Sequence, residues 1–518
     1  MMPRTKKLSG KGFILLAAVA TFLFLLPGCN RQPKAGQLLR IGLEAEPVTL
    51  DPHLNAESAT WTVLGNIFEG LVGFDREMRI IPLLATHWEN PDDNTWLFHL
   101  RRDVIFHNSQ KMKASDVVFS LERARDKPQS KVGGAMSSIA GIEAVGDQAV
   151  LITTHKPNPV LLNKLTSVFI VPRHYYENNG DSIVAVEPVG SGPYKLEKWE
   201  QKKQALMTRN ESYYGKKPKI SKALFIEVAS RESRVQALLS GKVDIIRNLP
   251  AESFGEVNSS REFKVIISPG LMVSYLGMDM SGKCKPFLDA QVRKAIYLGI
   301  NVEKIIDTEM NGYGTPAGQL TPPGIFGYNP SIDRARYNPV EARALMKASR
   351  YPDGFTVKLD IPENAISVGE ALRADLEKIG IKVKLAPSPW RQFYKKITEG
   401  QSAFYLVGWD CTSGDASDIY NACLHSPDTK QGYGSANIGR YSSSRMDSLI
   451  EESNQLLASS ERQASLQQIM SLAMKDLPLI PLYMQDNYYG VRKEVNWQPR
   501  LDERIYVSDM EFITGEIR

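Results

Sequence analysis

The 518-residue chain has only 4 cysteines, at positions 29, 284, 411 and 423, and no two of them form a CxxC pair. This excludes a small disulfide-stapled fold and removes the common thiolate zinc and redox arrangements. Its 7 histidines (53, 87, 99, 107, 155, 174 and 425) are dispersed, and neither HExxH nor GxSxG occurs. A ready-made metalloprotease or serine-hydrolase constellation is therefore missing, and an exported hydrolase would need a triad assembled in space. Neither sign of charge dominates, with 63 Lys and Arg against 58 Asp and Glu. Residues 1–28 hold four of the bases and no acid, so the rest carries +1 of the formal +5. A nearly neutral body is not a general nucleic-acid binder. No heptad or short repeat runs through the chain, which excludes coiled coil, collagen and solenoid. The one long apolar run, Gly12–Leu26, is short of the roughly 20 residues that span a bilayer.

What is present begins at that run. Arg4, Lys6, Lys7 and Lys11 precede it, giving the basic and apolar parts of a secretory signal over residues 1–28. Leu26-Pro27-Gly28-Cys29 resembles a bacterial lipobox. The resemblance implies cleavage before Cys29, lipidation of its thiol and a tether over 29–36. Such a chain is exported to the cell envelope and anchored by acyl groups worth about 0.8 kcal/mol per buried CH₂. In that compartment Cys411 and Cys423 can pair across a small loop, leaving Cys284 free.

Beyond the tether, strand-like and helix-like stretches alternate over a length that suits two to four domains, at ~100–200 residues each. Leu38–Leu43 and Thr95–Leu100 read as strands, and 115–125 as a helix with Asp116 in its first turn. The spacing predicts a helix over 230–240 closed by Gly241, a strand over 243–246 and a single helix over 289–306. Asn338-Pro339-Val340-Glu341 is a helix start in which Asn338 caps and Glu341 reaches back to the cap amide. Apolar stripes run through Val368, Leu372, Leu376 and Ile379, then Met446, Leu449, Ile450 and Leu457, then Leu466, Ile469, Met470, Ala473 and Leu477. These are core faces of an α/β protein.

Several ordered blocks carry a resemblance. They are Thr49-Leu50-Asp51-Pro52, IFEGL at 67–71, IPLLA at 81–85, Trp88, WLFHLR at 96–101, ASDVVFSLER at 114–123 and GSGPY at 190–194. Arg234–Ile246, VRKAI at 292–296, Tyr337-Asn338-Pro339 and Gly408-Trp409 complete the set. In this order they resemble the bacterial extracellular solute-binding protein family 5, the peptide and nickel receptors of ABC importers.

The resemblance implies a periplasmic-binding-protein-like fold (class II, cluster C), α/β and bilobal, of three domains. Domain I would comprise 37–75, 189–270 and 495–518; domain II, 76–188; domain III, 271–494. Crossings near 270–275 and 489–496 would form the hinge. A small solute, peptide or other, would lie between the lobes of a monomer and pass to permease subunits, with no cofactor, metal or catalysis. The same fold also serves non-transport binding proteins.

The resemblance also suggests contact residues. Ala56, Glu57 and Ser58 would offer backbone to the ligand, and Tyr275 and Gly277 lie in the strand entering domain III. Trp390 and Trp409 would line side-chain pockets, the alternative for each being core packing, with Tyr488 near the second crossing. In peptide receptors of the family, an aspartate three residues after the Trp holds the ligand's amino terminus. Here that position is Thr412, and a hydroxyl does not balance an ammonium charge. Asp410 and Asp415 are the available substitutes, unless they are solvated loop acids. GMDMSGKC at 277–284 differs from a P-loop at its last position, where Cys284 replaces the metal-binding hydroxyl, so it is set aside.

Overall fold

The structure, a computed structural model, describes residues 38–55 and 57–513. The signal, Cys29, the tether and Ala56 lie outside the described residues. Among the described residues no helix is long and apolar enough to cross a membrane.

Strand β1 (Leu38–Leu43) starts the first lobe. The helix Ser58–Ile67 and the hairpin of β2 (Val72–Phe74) and β3 (Ile80–Pro82) follow. Strands β4 (Ala85–Asp92), β5 (Thr95–Leu100), β6 (Ile139–Val145) and β7 (Ala149–Thr154) form a separate sheet in the order β4-β5-β7-β6. In β5 the period of two turns Trp96, Phe98 and Leu100 inward. The helix Ala114–Asp126 packs on this sheet through Val117 and Leu121. Strands β8 (Tyr194–Glu200), β9 (Gln204–Arg209), β10 (Lys222–Glu227) and β11 (Ile245–Arg247) complete the lobe. Asp244 staples its centre, accepting from Arg40 at 2.9 and 3.0 Å and from Arg492 Nε at 2.7 Å.

Strand β12 (Phe263–Met278) carries the chain into the second lobe. There lie β13 (Thr315–Pro316), β14 (Phe355–Pro362), β15 (Ile381–Ser388) and β16 (Phe404–Asp410). Strand β17 (Leu479–Arg492) brings the chain back. One sheet results, in the order β15-β14-β16-β12-β17-β11-β1-β10-β9-β8. The antiparallel pair β12–β17 is its only link between lobes among the described residues. Their ladder is broken between Pro269/Asp486 and Val273/Met484. At this break Gly270 passes the opposite strand so closely that a Cβ would stand 2.3 Å from the Gln485 carbonyl oxygen. These irregularities of β12, from Pro269 to Tyr275, overlap the expected first crossing at 270–275. On β17 the irregularities face Pro481–Asp486, whereas Tyr489–Arg492, within the expected second crossing, is continuously paired with β12.

Most of the expected stripe residues are buried, but Leu449 is half-buried, and Leu457 falls beyond the helix Ser444–Ser453 and packs half-buried against the first-lobe core. Val368, Leu372 and Leu376 sit in one second-lobe core, and Met446, Ile450, Leu466, Ile469 and Met470 in another. The helix foreseen over 289–306 is two, Ala290–Gly299 and Val302–Glu309. Asn301 breaks it by capping the second, its Oδ1 accepting from Lys304 N at 3.0 Å. Asn338 caps Pro339–Ala348, but the Glu341 carboxylate meets the Asn338 side-chain amide, not the cap backbone. Cys411 and Cys423 do not pair. Both are free thiols buried in the second lobe, and Cys423 shares a hydrogen bond with the Tyr275 hydroxyl.

Two sequence blocks meet at Glu69. Its carboxylate accepts from Ser191 Oγ at 2.9 Å and from the Tyr213 and Tyr214 hydroxyls at 2.8 Å each. Burial outweighs these bonds and lifts its pKa from 4.5 to about 7. The folded state therefore favours the protonated form. This stabilisation is complete below pH 4.5 and is lost as pH rises through 7, a swing of roughly 3 kcal/mol. Glu69→Gln should flatten the fall in melting temperature between pH 5 and 7. An unchanged slope in the variant contradicts this assignment.

Candidate functional site

A cavity of about 750 Å³ lies between the lobes. The first lobe contributes Ser58 and Trp61 from the helix Ser58–Ile67, and Asn163, Lys164 and Thr166 from around the helix Leu161–Leu165. Lys131, Arg247 at the end of β11, Glu503, Arg504 and Asp502, the last paired with Arg500, also belong to that wall. The second lobe supplies the loop after β16, with Asp410, Thr412, Ser413 and Asp415, and then Ser417, Asp418 and Asn421. One hydrogen bond crosses between the walls, from Asn163 Nδ2 to Ser413 O at 3.0 Å.

The two walls differ in charge. On the first, Arg247 is neutralised by Glu44 and also donates to Ser58 Oγ at 3.1 Å. Burial pushes the Glu44 pKa up, but its bond to Arg247 holds it below the usual carboxylate range. Lys131, Lys164 and Arg504 have no carboxylate partner within salt-bridge distance among the described residues. Arg504 lies 4.7 Å over the Trp61 ring, a cation–π contact that fixes it without cancelling its charge. Burial lowers the Lys164 pKa, and Asp418 on the facing wall works against that.

The second wall is acidic. Asp415 is buried and spent: it accepts from Arg462 at 2.6 and 2.8 Å and from Ser417 N at 2.9 Å. Asp410 and Asp418 lack a cationic partner within salt-bridge distance among the described residues. Desolvation raises the pKa of both, and Asp418 adds to the rise at Asp410. Glu503 on the opposite wall is also raised by burial, and Asp410 contributes through its like charge. The cavity thus presents three unneutralised cations beside one unpaired carboxylate, Glu503, on one lobe, and the unneutralised carboxylates Asp410 and Asp418 on the other. Closing such walls without a guest buries uncompensated charge, which is costly.

The structure brings only part of the expected set together. Ser58, Asp410, Thr412 and Asp415 line the cavity. Glu57 is exposed at the N-cap of the helix Ser58–Ile67, and Trp409 lies beside the wall, half-buried against the second-lobe core. Tyr275 is 3% exposed and packs with Tyr405 and Cys423 inside the second lobe, because its face of β12 turns inward. Gly277 is a packing glycine, since a Cβ there would stand 2.1 Å from the Tyr405 ring. Trp390 is 58% exposed and stacks on Tyr394, away from the cavity. Tyr488 packs on Phe254 of the first lobe and on Tyr313, which comes just before β13 of the second. Sequence reading missed Lys131, Lys164, Arg247, Asp418, Glu503 and Arg504. Only Asp418 gave a signal, standing three residues after Asp415 in the segment already singled out.

Arg462→Met should cost about 3–5 kcal/mol, because it strands the buried Asp415 carboxylate. Arg462→Met combined with Asp415→Leu should recover much of that loss in denaturant melts. A single variant as stable as the parent contradicts the pairing.

Comparison with known proteins agrees with this architecture. The profile of the bacterial extracellular solute-binding proteins, family 5 (middle region) matches residues 79–431. The "Dipeptide-binding protein" of Escherichia coli K12 is 24% identical over 486 residues, 87% of this chain and 90% of that one. Among solved structures, HbpA2 from Haemophilus parasuis superposes with a TM-score of 0.83 at 23% identity, over 92% of this chain and 100% of that chain. DppA from Helicobacter pylori, in complex with the peptide STSA, gives 0.68 at 24% identity, over 92% and 98%. The fold is the bilobal, three-domain α/β architecture of periplasmic binding proteins, with a hinge and a cleft between the lobes.

Proposed function

This chain belongs to the bacterial extracellular solute-binding proteins of family 5, and from that premise we propose that it is the substrate-binding lipoprotein of an ABC importer. It captures a small zwitterion, a di- or oligopeptide or a solute of like charge, and hands it to membrane permeases. It acts as a monomer held to the envelope through lipid on Cys29, with the domain boundaries given by its sequence blocks. It performs no chemistry on its guest.

The observation that carries this reading is the opposition of charges across the cavity. A ligand carboxylate fits Lys131, Lys164 and Arg504, and a ligand ammonium fits Asp410 and Asp418. Thr412 then need not carry the ammonium, because the acid has moved to two neighbouring positions. A guest with both charges neutralises both walls, so its affinity is greater for the closed form, and it draws the lobes together. The names of the relatives, a dipeptide-binding protein and a peptide complex, point the same way.

Native mass spectrometry of residues 30–518 purified without denaturation should recover an intact guest bearing one basic and one acidic group. Asp418→Asn should weaken rebinding of that compound at least tenfold, with the melting temperature of the empty protein little changed. A guest without a positive charge, or undiminished affinity in the variant, contradicts the reading.

A further inference from the structure

One piece of the first lobe, the hairpin of β2 and β3, touches both charged walls of the cleft. Phe74 ends β2 and pairs with Ile80 of β3. The turn between them is tied to itself. Asp75 Oδ1 accepts from Glu77 N at 3.0 Å and from Arg79 N at 2.9 Å, and Asp75 Oδ2 accepts from Arg79 Nε at 2.6 Å. Such side-chain bonds to the following backbone fix the shape of a turn. Met78 stands in it at φ +65°, a conformation uncommon for a residue with a Cβ.

The base of the hairpin meets the cationic wall. Arg500 Nη2 donates to Phe74 O at 2.8 Å and to Asp75 O at 3.1 Å, and Leu501 N donates to Arg76 O at 3.2 Å. This is the segment that carries Glu503 and Arg504 into the cavity. The apolar side chains of the hairpin enter the other lobe. Phe74 is 7% exposed and Met78 4%, and both belong to the second-lobe core that holds Leu320, Ile325 and Ala416. The Phe74 ring lies against Gly414, where φ is +73° and a Cβ would stand 2.9 Å from the ring. Gly414 is midway between Asp410 and Asp418, the acids of the second wall. A core contact alone would be indifferent to the cleft, but here one closed turn grips both of its walls.

We propose that Phe74 and Met78 are positioning residues, and that the hairpin is a spacer setting the separation of the cationic wall from the acidic loop in the empty protein. The proposal rests on the reading of these walls as the guest site. The loop cannot leave the hairpin without exposing Phe74 and Met78 to water, so the hydrophobic effect holds it in place. A guest then meets carboxylates already spaced, and less is lost in ordering them.

Hydrogen exchange of the purified protein before any guest is added, read by mass spectrometry, tests this. Phe74→Ala should speed exchange of the amides at 411–418 at least tenfold, and Met78→Ala at least threefold. Phe74→Leu keeps an apolar side chain against Gly414 and should fall between Phe74→Ala and the parent. Residues 500–504, held by the Arg500–Asp502 pair, and the helix Ala114–Asp126 should exchange as in the parent. Parent-like exchange at 411–418 in either alanine variant overturns the proposal, as does a Phe74→Leu loop no slower than that of Phe74→Ala. Faster exchange spread evenly over both lobes also overturns it, since that marks a core residue and nothing more. No guest takes part, so any of these failures leaves the charged-wall assignment to be judged by Asp418→Asn.

Discussion

Everything else in this molecule depends on the pairing of β12 with β17. Both strands run through both lobes, so the lobes share one sheet and are not merely tethered. The ladder yields between Pro269 and Val273, opposite Met484–Asp486, and shifts register again between Ser274 and Tyr275, opposite Tyr483 and Pro481. At that break Gly270 lets the strands approach more closely than any side chain would permit. These irregularities fall in one short stretch of the two strands, and the walls on either side of it are residues after β16 and residues around Lys164 and Arg504.

What the walls carry then decides what closure requires. An apolar cleft would collapse on itself. This one cannot do so cheaply, because Asp410 and Asp418 face a wall with three unneutralised cations and the like-charged Glu503. In the function proposed above, the cost of desolvating these groups opposes closure of the empty protein, and a guest of matching charge removes that cost. Asp415 makes the contrast plain. It lies within the same few residues, but Arg462 satisfies it completely, and its role is to hold the loop that presents its neighbours.

The local architecture was legible in the sequence, because caps, stripes and turn glycines are short-range signals. Asn338 caps as expected, and the stripes at 368–379 and 466–473 are buried, whereas the one from Met446 ends with its helix at Ser453, short of Leu457. The misjudged helix at 289–306 had its own local warning, Gly299 followed by a capping Asn301. The family blocks carried the fold. The site was only half legible. Lys131, Lys164, Arg247, Glu503 and Arg504 converge from distant segments, and nothing in their neighbours marks them as a wall. Tyr275, Gly277 and Trp390 were misplaced for a related reason: sequence position locates a strand or helix, but which face meets the cleft is set by packing partners such as Tyr405.

The account's central claim is that the two lobes shut around a guest and leave it chemically intact. Small-angle X-ray scattering of residues 30–518, before and after saturation with the compound recovered from the protein, tests it most directly. The account predicts a smaller radius of gyration with guest and the same compound back by mass after denaturation. An identical scattering curve at saturation, or a cleaved compound, would contradict it.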